Sequence, residues 1–427
     1  MNTLARRLVS VLAVVLAVCV AASAAAPAID IPESAAQSAL QDSHRKQIDK
    51  YVAYHIGKMA SATTQEAVIA ARSKLMGGYV KYGRASEYMS AYGASIATHG
   101  KDMLTKLASD DPLSDLKEVN LTIIVTRVQQ VSLQPLVAAM VIHRSPAVRF
   151  FGWQTYALIR TPVLAVGGKV SEMMYAALAN AMAKEQDPHV LAEMLKMFRL
   201  PRAPAAGTAT AVEAYRDGQS KLFNILKENW ISLCRRVLKA DGTVVGGASS
   251  GVVAVVRLKN ALGNEVDDKV AIQLVANMTW SAGKAYDLAL QVQVAAKAAV
   301  LAEKESERAA TEPSDENLTA AKLASQNAQQ LATKVGKNVK DLASQASQSD
   351  FAVSTSRLLL TECEKALNTL TKRNDSHIGK PLRKTSSSDP AASVRIGVMN
   401  WVDSLVDKYS IKRPETEVPP KVPAPMK

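Results

Sequence analysis

The chain has 427 residues, more than one hydrophobic core usually organises, so two domains or one elongated repeat array are expected and size does not limit stability. Hydrophobic residues make up 48% but aromatics only 5%, an Ala, Val, Leu and Met mixture that argues against a sheet-rich fold and for an all-α one. The formal charge of +13 permits an anionic partner, yet the basic residues are scattered at helical spacings without long runs, which reads as a solvated face and argues against nucleic acid.

The first residues, MNTLARRLVSVLAVVLAVCVAASAAAPA, carry Arg6 and Arg7, an apolar stretch from Leu8 to about Val20, and the small-residue site Ala22-Ser23-Ala24. This is the pattern of a signal peptide over residues 1–24, and it places the mature chain in the periplasm or outside the cell. Its removal takes the charge from +13 to +11, because Arg6 and Arg7 leave with it. Leu16-Ala17-Val18-Cys19 resembles a bacterial lipoprotein cleavage box, although Val18 stands where that pattern takes a smaller residue; a lipid anchor at Cys19 is therefore the alternative to a soluble fate.

From Ile31 onward three or four helices are expected. HRKQIDKYVAYHIGKM sets Ile48, Tyr51, Val52, His55, Ile56 and Met59 on one stripe, Thr63-Thr64-Gln65-Glu66 has capping-box spacing, and Gly77-Gly78 is read as the close of the following helix. Tyr79, Tyr82, Tyr88 and Tyr92 are expected to pack between helices rather than to stack on a ligand. DPLSDLKEVNLTIIVTRV and LQPLVAAMVIH then form an antiparallel pair, and SPAVRFFGWQTYALIR, residues 145–160, begins again with a proline suited to a first helical turn. DPHVLAEMLKMF restarts the pattern with Pro188, 42 residues after Pro146.

On these residues, above all Ser145-Pro146-Ala147-Val148-Arg149, the segment from about 110 to 200 resembles a HEAT repeat of the kind found in bacterial exported proteins. The resemblance implies a curved α-solenoid that binds other macromolecules, in a domain over residues 31–200. Leu191 stands where Arg149 would recur, so the repeats are few and degenerate. The resemblance also implies that arginine and acidic residues near the turns link successive repeats, which here suggests a charge-assisted bond between Arg149 and Asp187 at consecutive repeat starts. Gly152 beside Trp153 is either a close helix contact or a notch on the solenoid face where a partner would bind.

RLPRAPAAGTAT supplies the expected boundary, a linker over 201–210. Residues 211–372 read as a helical bundle, with Leu222, Ile225, Leu226, Trp230, Leu233 and Val237 on one helical face. VVGGASSGVVAVV is expected to start as a Gly-rich inter-helix loop, and Asn264 to cap the next helix with Asp267 and Asp268 in its first turn. Residues 284–310 and 314–348 form a long Ala-rich hairpin, the second helix with Ala328, Leu331, Val335, Val339, Leu342 and Ala346 at alternating three and four spacing. A polar linker over 373–388, an amphipathic helix over 389–410 and a disordered Pro-rich tail over 411–427 complete the chain.

Little chemistry is signalled. Gly247-Ala248-Ser249-Ser250-Gly251 satisfies the G-x-S-x-G of a hydrolase nucleophile elbow with His377 downstream, but such an elbow needs preceding strands where helices are read. The six histidines show no helical i, i+4 pair, so no metal and no cofactor are expected. Cys234 and Cys363 remain after cleavage, and their apolar settings leave a bridge and two buried thiols equally open. The expectation is a non-enzymatic exported scaffold that binds a protein partner through the HEAT-like surface. Its alternatives are a basic binder of anionic envelope polymer or lipid, and a serine hydrolase using Ser249 and His377.

Overall fold

Side-chain caps and glycines set where this chain turns, and they do so differently in its two halves. A computed structural model describes residues 30–33, 39–82, 85–107, 110–166, 168–198, 209–374, 376–378, 382 and 390–414. Among the described residues there are fifteen α-helices and no strand, so the protein is all-α. The signal segment with Cys19, most of the 201–210 linker, much of the 373–388 linker and the tail beyond 414 lie outside the described residues.

The chain divides into two compact units, Met1–Leu133 and Gln134–Lys427. The division expected at 201–210 is thereby corrected. The reason is that the last helix before that linker, α8, packs on α10 beyond it, so residues 134–198 share a core with the second half.

In the first unit α1 (Asp42–Ala60) packs against α2 (Gln65–Lys81) and α3 (Ser86–Lys106), and α2 packs against α4 (Ser114–Val128). Thr64 caps α2 by accepting from the Ala67 N–H at 3.2 Å. The helix does not close at Gly77-Gly78 but runs to Lys81. Gly78 serves close packing instead: a Cβ there would lie 2.7 Å from the Tyr51 ring and 2.9 Å from the Tyr92 hydroxyl. Tyr88 and Tyr92 are fully buried and donate to the carbonyls of Gly78 and Leu75 at 2.6 and 2.7 Å, while Tyr51 donates to Lys74 at 2.7 Å. Buried phenols that each find a carbonyl are packing elements, which leaves no open aromatic platform on this ring cluster.

The second unit opens with α5 (Gln134–Met140), α6 (Pro146–Val166), α7 (Gly168–Lys184) and α8 (Pro188–Leu195). It continues through α9 (Ala209–Val237), α10 (Gly242–Leu262) and the 44-residue α11 (Asp268–Thr311). The Gly-rich stretch read as a loop is in fact the first half of α10. Asp241 caps it, accepting from Thr243 and Val244 N–H groups at 2.9 and 3.1 Å. Its glycines allow helices to touch: a Cβ on Gly247 would sit 2.8 Å from the Ala192 Cα in α8. Asp267, not Asn264, caps α11, because residues 263–265 form a short 3-10 turn between the helices.

α12 (Asp315–Val335) folds back along α11, followed by α13 (Val339–Ser344), α14 (Ala346–Thr371) and α15 (Pro390–Tyr409). Ser314 caps α12 by accepting from the Asn317 N–H at 3.2 Å. The single helix expected over 314–348 is broken at Gly336, whose φ of 68° gives a left-handed cap. The apolar stripe nevertheless packs across the break, with Ala332 and Leu342 buried against Ala295, Ala296 and Ala299, and Leu331, Val335, Val339 and Ala346 beside them. α15 lies on the proximal part of α11, where Val398 meets Gly283 and Arg395 pairs with Asp287 at 3.3 Å.

Candidate functional site

α6 is the helix around which most of the residues singled out in the sequence gather. It starts at Pro146, whose fixed φ and missing N–H suit a first turn. One turn in, Arg149 grips the Glu185 carboxylate with two bonds, Nε to Oε2 at 2.8 Å and Nη2 to Oε1 at 2.9 Å. Its Nη1 donates to the carbonyls of His143 and Arg144, each at 2.9 Å. Glu185 is buried and accepts further from the Gln186 and Asp187 N–H groups at 3.0 and 2.9 Å. Burial by itself would raise this carboxyl, but the Arg149 guanidinium and the two backbone donors outweigh it and hold Glu185 below its ordinary value. The same pair raises Arg149.

Arg149 thus reaches the segment ahead of α8 through Glu185 and not through Asp187. The reason is local: Asp187 is the N-cap of α8, accepting from His189 and Val190 N–H groups at 2.9 and 3.0 Å just before Pro188. Arg236 of α9 donates to the Glu185 carbonyl, tying a third helix to this corner. Sequence reasoning missed Arg160, one side of the same helix, whose Nη1 donates to the Lys196 and Met197 carbonyls at 2.9 and 2.8 Å. Burial pulls that guanidinium down to about 10. α6 is consequently pinned near its start and past its middle by arginines that satisfy the ends of neighbouring elements.

Gly152 and Trp153 do not form a binding notch. Both are buried, and a Cβ on Gly152 would lie 3.0 Å from the Met140 Cβ and 3.1 Å from the Val141 nitrogen. The glycine lets α6 approach the end of α5, and the neighbouring Trp153 ring fills core beside Tyr156 at 5.8 Å. The face that α6 does expose lies one turn further on. Leu158 is 46% exposed and Val166 62%, with exposed Pro162 between them, so that positions i, i+4 and i+8 make one apolar stripe. Pro162 has no N–H to return to the Leu158 carbonyl, so the stripe also carries an acceptor released from the helix ladder. The apolar pairing in YALIRTPVLAV was the available sequence signal, and a proline at mid-helix its marker.

The other candidates are dispersed. Ser249 lies in the middle of α10 with its Oγ buried and without a hydrogen-bond partner. His377 stands on an exposed turn with its ring stacked on Trp401 at 5.6 Å. G-x-S-x-G therefore forms no strand-to-helix elbow here. Cys234 on α9 and Cys363 on α14 are free, buried thiols, which decides between the two sequence alternatives. Burial pushes Cys234 up to about 12 and raises Cys363 as well, and the two thiols meet Ser281 and Thr279 of α11.

In the first unit an open cleft of about 360 Å³ lies between the ends of α1 and α3, floored by Ile56 and Met103 and rimmed by His99, Asp102 and Lys106. No group of three His, Cys, Asp or Glu side chains poised for a metal occurs among the described residues, and none of the helices described is long and apolar enough to cross a membrane. Comparison with protein families, with curated proteins and with solved structures finds no match to this chain.

Proposed function

We propose that this protein is an exported, non-enzymatic helical scaffold and that a protein partner docks on the apolar stripe Leu158, Pro162 and Val166 of α6. The observation that carries the reading is the stripe itself, because large aliphatic side chains aligned on one helix face and left in water mark an interaction surface. The rigidity of its support adds weight. Arg149 and Arg160 hold α6 to its neighbours, so a partner meets a preorganised helix and loses little entropy in ordering it. The HEAT-like period from Pro146 to Pro188 fits a macromolecular partner, and the N-terminal pattern of Arg6, Arg7 and a short apolar run fits export.

The test is affinity capture from the protein's own envelope fraction, with the natural chain set against the double variant Leu158→Glu, Val166→Glu. The natural chain should retain a partner at both low and high ionic strength, and the variant should lose it while its helical circular dichroism is unchanged. Retention that collapses with salt and ignores the two glutamates would instead favour a basic surface for anionic polymer or lipid. Labelling of Ser249 by a fluorophosphonate would overturn the non-enzymatic part.

A further inference from the structure

We draw no further inference here: the strongest candidate, the open cleft between the ends of α1 and α3 floored by Ile56 and Met103, carries nothing, because its acids Asp102 and Asp111 already pair with Lys106 and Lys117 and nothing among the described residues shows what would occupy it.

Discussion

Arg149 and Glu185 are an ion pair whose partners are unequally exposed, and that asymmetry sets what each mutation does. The Glu185 side chain is almost wholly buried while Arg149 retains some access to water. Arg149→Ala leaves a carboxylate in the core with only its two backbone donors, and should lower unfolding stability by about 2–4 kcal/mol, read as a lower urea midpoint at neutral pH. Glu185→Gln keeps the shape and removes the charge, so it isolates the titration. Because the folded carboxyl lies below its unfolded value, the pair stabilises the fold above the unfolded pKa of about 4.3 and loses that contribution as pH falls through the lower folded value. Melting temperature should therefore fall more steeply from pH 5 to pH 3 in the natural protein than in Glu185→Gln. The sequence marked Arg149 as a residue that bonds an acid near the start of α8, but not which acid. Glu185 and Asp187 both precede Pro188, and only the turn geometry decides which one caps the helix and which one pairs.

At the scale of the element, glycine inside a helix has two opposite meanings, and the surroundings choose between them. Gly57 in α1 has nothing within 4 Å of the place a Cβ would take, whereas Gly247 in α10 faces the Ala192 backbone at 2.8 Å. Gly57→Ala should raise stability by about 0.5–1 kcal/mol through helix propensity. Gly247→Ala should lower it by about 1–3 kcal/mol through overpacking, with both changes read from urea unfolding midpoints. The stretch VVGGASSGVVAVV reads as a loop because glycines usually interrupt helices. It folds as a helix in which Gly247 lets α8 approach and Gly251 lies close to the Trp230 ring of α9, a gain that depends on those helices being there. The hairpin shows the converse case. Its alternating stripe from Ala328 to Ala346 packs as one seam even though Gly336 breaks the helix, since the apolar period survives a turn that local geometry inserts.

For the molecule as a whole, the two thiols report on the cooperativity of the second unit. Cys234 and Cys363 sit on helices separated in sequence by α10–α13, yet both are buried against α11. A charged thiol reagent should label neither in the native protein and both together in denaturant, with the labelling midpoint matching the loss of helix signal. Early labelling of one cysteine alone would show that α9 or α14 detaches on its own.

The all-α class, the caps at Thr64 and Ser314, and the Ala-rich hairpin follow from residues near one another in the chain, and the amino-acid sequence determines them without outside help. Composition limits sheet, short polar side chains satisfy first-turn N–H groups, and a three-four apolar period has one packing solution. What only the tertiary structure decided is of another kind: that the units divide after Leu133, that Trp153 is core while Leu158 and Val166 face water, and that Arg149 pairs with Glu185. Each of these depends on which distant helix arrives alongside, and burial is a property of that arrival, not of the local pattern.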